Sequence, residues 1–151
     1  MKKIVLIGGA GFIGHNLALK LKKKGHEVLI IDGLNVNNIL SIVDPQIKNK
    51  KLYFEMLNQR ISLLNKNKIK LIIQDARNYF ALTSIVNNFG PDVIIHLAAV
   101  SHANKSNKDP HSTFDHSLRT LENALDIARS KKTHFIYLSS SMVYGNFKKE
   151  K

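Results

Sequence analysis

The sequence has no cysteine, only three prolines and few acidic residues, 11 against 23 Lys and Arg. The absence of cysteine excludes disulfides and thiolate metal sites, and it suits the reducing cytoplasm, where we expect the protein to reside. No apolar stretch approaches the roughly 18 residues of a membrane span, so we predict no membrane partner. The apolar run at the start breaks at Gly8-Gly9 and is too short for a signal peptide.

The shortage of acidic residues leaves a formal net charge of +12. The lysines are scattered in short groups at predicted helix ends and loops, without interleaved aromatic residues. A nucleic-acid-binding protein would present one basic face with stacking platforms. We therefore predict no nucleic-acid partner, and attribute the charge to a lysine-rich surface that favours solubility and attracts anionic nucleotides.

Short apolar runs alternate with helical patterns along the whole chain. The runs predict five strands, at residues 3–7, 27–32, 70–74, 92–97 and 133–139. Apolar residues at helical spacing predict helices near residues 11–24, 54–64, 82–89 and 114–128. The last helix has the clearest amphipathic pattern, formed by Phe114, Leu118, Leu121, Leu125 and Ala128.

Continuous apolar strands that alternate with helices are typical of a parallel sheet covered on both faces. With right-handed crossovers, the pattern predicts one α/β domain over residues 1–151, a doubly wound (Rossmann) sheet of strand order 3-2-1-4-5. A ligand is then expected at the carboxyl ends of strands 1 and 4, where the strand order reverses.

A glycine-rich loop, GGAGFIG at residues 8–14, joins the first predicted strand to the first helix. One glycine would make the tight turn, Gly11 would let a pyrophosphate approach the backbone, and Gly14 would let the helix lie close to the strand. The helix N-terminus would supply N–H donors and partial positive charge. Asp32 ends the second strand, at the expected separation of ~20 residues from the glycine loop. Its carboxylate can accept hydrogen bonds from both ribose hydroxyls of an adenosine. Because it would repel a 2′-phosphate, we predict NAD rather than NADP as the cofactor.

Further motifs follow in a fixed order: QDAR at residues 74–77, HLAA at 96–99, Arg119-Thr120, and SSSMVYG at 139–145. Together with the glycine loop and Asp32, they resemble the extended short-chain dehydrogenases, specifically the NAD-dependent epimerase/dehydratase group that acts on nucleotide sugars. The resemblance extends over nearly the whole chain.

The resemblance implies a set of site residues. The cofactor would be bound by Gly8, Gly11, Phe12, Ile13, Gly14, Asp32, Asp75, Ala76, Leu97, Ala98 and Ala99. Within this set, the carboxylate of Asp75 and the N–H of Ala76 would meet the adenine. Ser101, His102 and Ser141 would face the substrate, and the hydroxyl of Ser140 would bond the sugar oxygen that is oxidised. We interpret His96 as a packed strand residue rather than a catalyst.

The chain departs from the family pattern in several places. Ser141-Met142 stands where dehydratases have Asp-Glu, which favours an epimerase or a reductase. His116 replaces an Asn that commonly supports the cofactor site, and Gly33 replaces a frequent Asn. The string from Tyr144 to Lys148 fits Tyr-x-x-x-Lys, but Gly-Asn after a strand is typical of a turn, so we interpret it as a decoy.

We therefore expect a fragment that lacks the catalytic Tyr/Lys helix and the substrate domain. It would bind NAD without turnover, whereas the full-length parent would be an enzyme acting on a nucleotide sugar. The alternatives left open are a non-catalytic NAD-binding or regulatory module, and a nucleotide-sugar reductase or dehydratase. Residues 133–138 would form an exposed apolar edge strand, so we also expect self-association, as a homo-oligomer or otherwise.

Overall fold

A computed structural model of the chain describes residues 1–36, 38–43, 45, 47–100 and 107–140. The strands are β1 (Lys3–Ile7), β2 (Glu27–Asp32), β3 (Lys70–Ile73), β4 (Val93–His96) and β5 (His134–Tyr137). The helices are α1 (Phe12–Lys23), α2 (Lys50–Lys66), α3 (Tyr79–Phe89), α4 (Pro110–Phe114) and α5 (Thr120–Lys131). A short 3₁₀ helix spans Ile39–Val43, and a π-helical turn, Asp115–Arg119, joins α4 to α5.

The five strands form one parallel sheet in the order β3-β2-β1-β4-β5, which confirms the predicted fold. Side chains alternate between the faces of the central strands, so each face has its own core. Leu6 and Ile30 pack on the side of α1 and α2, whereas Val5 and Ile31 pack on the side of α3 and α5. Because both faces are covered, the strands carry continuous apolar runs rather than alternating ones.

The apolar pattern predicted at residues 114–128 matches the buried side of the helix only at Ala128. Phe114, Leu118 and Leu125 are 61%, 52% and 46% exposed. The buried side of α5 is instead made by Thr120, Asn123, Ala124, Ile127 and Ala128. Small side chains let this helix lie close to the sheet, and the π-helical turn inserts an extra residue that shifts the helical phase. The large apolar side chains of the predicted stripe, Phe114, Leu118 and Leu125, are therefore left on the surface.

The segment after β2 also has more structure than predicted. It contains the 3₁₀ helix, and α2 begins at Lys50, four residues earlier than expected, with Leu57 and Leu64 as its buried residues. Phe54, which helped to predict this helix, is 44% exposed. Within the described ranges, no helix combines the length and apolar character needed to cross a bilayer.

Candidate functional site

The glycine loop begins where the carboxyl ends of the paired strands β1 and β4 lie side by side. Gly8 has a φ of +78°, a left-handed conformation that favours glycine. A Cβ added there would lie 2.6 Å from the backbone nitrogen of Ala98, just after β4. The N–H of Gly8 donates to the carbonyl of Ile31 at 2.8 Å, and that of Leu97 donates to Ile7 at 2.8 Å. The loop therefore begins at the predicted switch point of the sheet.

The remaining loop glycines differ in what surrounds them. A Cβ on Gly14 would lie 2.5 Å from both Cα and O of Gly9, and one on Gly9 would lie 2.8 Å from Cβ of Leu6. Gly14 is therefore required by close packing of α1 against the loop, and Gly9 by close packing of the loop against the core side chains of the sheet. A Cβ on Gly11 would meet only the carbonyl oxygen of Gly8, at 3.6 Å. Packing within the described chain therefore does not explain Gly11.

The first turn of α1 begins at this open position. Gly11 is the N-cap residue and provides no side-chain cap. Phe12 and Ile13, the first two residues of the helix, are 68% and 59% exposed. Their backbone N–H groups have no carbonyl four residues earlier within the helix, and the helix dipole adds partial positive charge. The arrangement can bind an anion.

Asp32 lies at the carboxyl end of β2, next to the loop. Its Oδ2 accepts the N–H of Ala10 at 2.9 Å, and its Oδ1 accepts the N–H of Leu34 at 2.8 Å. Burial raises the pKa of the Asp32 carboxyl, while these two hydrogen bonds act in the opposite direction. Each carboxylate oxygen can accept a second hydrogen bond, so the group can bind a ligand diol while it still holds the loop.

Asn38 contacts the same loop from the segment after β2, and the sequence prediction missed it. Its side chain is buried, with 2% exposure. Its Nδ2 donates to the carbonyl of Ala10 at 3.2 Å, and its Oδ1 accepts the N–H of Ile39 at 2.9 Å. Nothing in an Asn-rich stretch distinguishes this asparagine from its neighbours before the fold is known.

Asp75 follows β3 and lies beside the Asp32 turn, because a Cβ on Gly33 would be 3.4 Å from its Cα. Its carboxylate is already engaged by Arg77, whose Nη2 lies 2.6 Å from Oδ2 and whose backbone N–H donates to Oδ1 at 2.9 Å. The amide of Asn35 approaches Oδ2 at 3.4 Å. Hydrogen bonding from Arg77 lowers the pKa of the Asp75 carboxyl. A ligand amino group would have to share this carboxylate with Arg77.

Arg77 extends the network to the helices that follow β4. Its Nη1 donates to Oδ2 of Asp115 at 2.6 Å, and the other oxygen of Asp115 accepts from Nε of Arg119 at 2.8 Å. Hydrogen bonds from Arg119 and Arg77 lower the pKa of the Asp115 carboxyl. Buried Asn123 of α5 also donates to the carbonyls of Ala76 and Arg77, at 2.9 and 3.0 Å. The loop after β3 is thus fixed to the π-helical turn and to α5.

His96 ends β4 and is 1% exposed, which agrees with its interpretation as a packed residue. Its Nε2 lies 3.2 Å from Oγ1 of Thr120, a hydroxyl that is also 3.0 Å from the carbonyl of His116. If the hydroxyl donates to that carbonyl, Nε2 carries the imidazole proton. Burial lowers the pKa of His96 to about 4, so the ring is neutral at physiological pH.

The structure brings together most of the predicted cofactor residues. The glycine loop and Asp32 adjoin each other, Asp75 lies beside Gly33, and Ala98 lies against Gly8. Ser140 follows β5 and is exposed. Parallel strands end at the same edge, so Ser140 belongs to the edge that carries the loop. Ser101, His102, Ser141 and the string from Tyr144 to Lys148 lie outside the described residues.

Metal-ligating side chains do not gather in the described part of the chain. No group of three or more His, Asp or Glu in those ranges could hold a metal ion. The chemistry of the site there consists of backbone N–H groups, carboxylates and hydroxyls.

Comparison with known proteins agrees with this geometry. The sequence profile of the NAD dependent epimerase/dehydratase family matches residues 4–151. Protein CapI of Staphylococcus aureus is 31% identical over 144 residues, which cover 95% of this chain and 39% of that protein. The UDP-glucose 4-epimerase of Neisseria meningitidis serogroup B is 29% identical over 147 residues, covering 97% of this chain and 39% of that protein.

A solved structure shows the same fold. The UDP-glucose 4-epimerase of Brucella ovis, crystallised in complex with NAD, superposes with a TM-score of 0.73 at 21% identity, over 97% of this chain and 38% of that one. The chain therefore spans about two fifths of the length of these relatives. The profile, in contrast, covers nearly all of this sequence. The resemblance predicted from the motifs is confirmed: the chain belongs to the NAD dependent epimerase/dehydratase family, whose cofactor is NAD.

Proposed function

We propose that this chain holds NAD at the carboxyl ends of β1, β2 and β4. Gly11 carries the argument, because packing accounts for Gly8, Gly9 and Gly14 but leaves the space at Gly11 open. A pyrophosphate next to this position would receive the N–H groups of the first turn of α1, and the dipole of the helix favours its negative charge. A side chain at Gly11 would occupy that space.

The other ligand contacts follow from the neighbours of the loop. The adenosine ribose would bond Asp32, whose two oxygens each keep acceptor capacity beside their backbone partners. Adenine would lie against Asp75 and Ala76, and Leu97 to Ala99 would line the cofactor. A 2′-phosphate would bring negative charge against Asp32, so NAD is preferred over NADP.

We further propose that the complete protein is an epimerase-type oxidoreductase acting on a nucleotide sugar. When bound, NAD supplies the acceptor for a hydride from the carbon of a sugar hydroxyl. Ser140, at the same sheet edge, would hold the oxygen of that hydroxyl, and Ser101, His102 and Ser141 would face the sugar. The names of the Neisseria and Brucella relatives, both UDP-glucose 4-epimerases, support this class. The cysteine-free sequence supports a cytoplasmic location.

The proposal is tested by titrating the purified chain with NAD, NADP and ADP-ribose in a calorimeter, and by assaying it for interconversion of UDP-glucose and UDP-galactose. We expect saturable binding of NAD and ADP-ribose, weaker binding of NADP, and no turnover. Turnover by the chain alone would contradict the proposed inactivity of this portion. Absence of NAD binding by folded protein would refute the proposed site.

A protein that binds NAD can still serve only as a regulatory module. The assay that distinguishes a regulatory module from an enzyme uses a longer protein that contains this chain and a downstream Tyr-x-x-x-Lys helix. For an enzyme, we expect Ser140→Ala to lower kcat by at least an order of magnitude, and by up to the ~10²–10⁴-fold that acid–base assistance contributes. An unchanged kcat would remove Ser140 from the reaction.

A further inference from the structure

Ala10 of the glycine loop has both of its backbone polar groups bound by side chains from outside the loop, and among the described residues no other residue of the loop does. Its N–H donates to Asp32 at 2.9 Å, and its carbonyl accepts from Asn38 at 3.2 Å. These bonds fix the peptide planes on either side of Ala10. Asn38 therefore controls the orientation of the peptide that joins Ala10 to Gly11.

That peptide determines where the N–H of Gly11 points. In a planar trans peptide the carbonyl and the N–H of the next residue point in opposite directions. With the carbonyl of Ala10 held inward by a buried amide, the N–H of Gly11 is directed away from Asn38. Gly11 is also the N-cap of α1, so its orientation leads into the donors of Phe12 and Ile13.

Packing does not explain an asparagine at position 38. A polar side chain that is 2% exposed loses its contact with water, and that loss is offset only if its hydrogen bonds are made. Apolar Leu34 and Ile39 lie in the same region and pack against the core on that side of the sheet. An apolar residue could fill the space, whereas only a donor can hold the carbonyl of Ala10.

We propose that Asn38 is a positioning residue for pyrophosphate binding, acting through the Ala10–Gly11 peptide without touching the ligand. This inference rests on the proposed NAD site. Loss of the donor would free the peptide to rotate, and the N–H of Gly11 would no longer be held in the direction that suits a phosphate. Because hydrogen bonds to charged groups are among the strong ones, we expect a loss of affinity for NAD of about tenfold or more.

The test compares Asn38→Leu with Asn38→Asp. Both variants remove the donor at nearly constant side-chain size, but only Asp adds a negative charge and keeps an acceptor for the N–H of Ile39. Asn67→Leu is the matched control, because Nδ2 of Asn67 donates to the carbonyl of Leu63 at 2.8 Å, at the far end of α2. Calorimetry gives Kd for NAD and ADP-ribose, and an NMR titration gives Kd for adenosine, at a temperature where circular dichroism shows each protein folded.

We expect both Asn38 variants to lose affinity for NAD and ADP-ribose by similar factors and to keep the wild-type affinity for adenosine. The control variant Asn67→Leu should bind all three ligands with wild-type affinity. Equal Kd values for NAD in the wild type and both variants would overturn the inference. A loss confined to Asn38→Asp would reveal a charge effect and overturn it too, as would an equal loss for adenosine. If the folded wild type fails to bind NAD, the proposed function itself is refuted.

Discussion

Substituting alanine for Gly11 or for Gly14 should affect different properties of the protein, ligand binding in the first case and folding in the second. In Gly11→Ala the new Cβ meets only the oxygen of Gly8 at 3.6 Å, an ordinary contact. The backbone there has a φ of −73°, which any residue adopts. In Gly14→Ala the Cβ would lie 2.5 Å from the backbone of Gly9, so α1 must move away from the loop.

The expected magnitudes differ accordingly. Loss of glycine at an N-cap and gain of a less flexible residue act in opposite directions, so Gly11→Ala should change the free energy of unfolding by less than about 1 kcal/mol. Gly14→Ala introduces overpacking against backbone, for which about 1–3 kcal/mol is typical. In a domain of this size, each kcal/mol lowers Tm by about 2–4 °C.

For substitutions at Gly11, the effect on NAD binding should be large although the effect on stability is small. A methyl group in the space of the pyrophosphate should weaken Kd by more than about tenfold, and Gly11→Val should abolish binding while the domain still folds. Thermal melting followed by circular dichroism measures folding, and calorimetry measures binding. Wild-type affinity in Gly11→Val would refute the reasoning, because the phosphates would then lie elsewhere.

Three further predictions concern the cofactor, pH and self-association. Asp32→Ala should reduce the preference for NAD over NADP, measured as the ratio of their calorimetric Kd values. Equal Kd values for NAD and NADP in the unmutated chain would contradict the role of Asp32. Burial lowers the pKa of His96 from 6.5 to about 4, so the unfolded chain binds more protons between these values. The free energy of unfolding should therefore fall by about 3 kcal/mol as pH decreases from 6.5 to 4. Urea denaturation at a series of pH values measures this loss, which the His96→Gln variant should lack. The same pH dependence of the free energy of unfolding in wild type and variant would contradict the prediction. Ile136 and Tyr137 of edge strand β5, and Leu138 after it, are 38%, 51% and 41% exposed. The chain should therefore self-associate, and NAD should raise its Tm. A monomer in sedimentation at tens of micromolar, with Tm unmoved by millimolar NAD, would count against both expectations.

The sequence was sufficient to predict the sheet because its strands are buried on both faces. The runs at Lys3–Ile7 and Glu27–Asp32 are almost entirely apolar, and the motif at Gly8–Gly14 places the switch point. Strand ends and helix starts differed by a few residues, as at α2, because local pattern does not fix where a helix begins.

The features that were missed depend on tertiary contacts. The periodicity at Phe114, Leu118 and Leu125 predicts an apolar stripe along one continuous helix. It does not reveal the π-helical turn between α4 and α5, or that Ala124 and Ala128 will face the sheet. The hydrogen bond of Asn38 to Ala10 and the ion pair of Arg77 with Asp115 join segments far apart in the chain. Residue type alone did not distinguish these partners from other polar residues in loops.

The unequal surroundings of the loop glycines have a consequence for how such a motif changes over evolutionary time. A descendant that no longer bound a dinucleotide would still need Gly8, Gly9 and Gly14, because substitutions there meet the protein's own backbone and core. Only Gly11 would be released to drift towards alanine or serine. Most of the motif therefore records selection for a folded sheet-to-helix turn, and this single position records selection for the ligand.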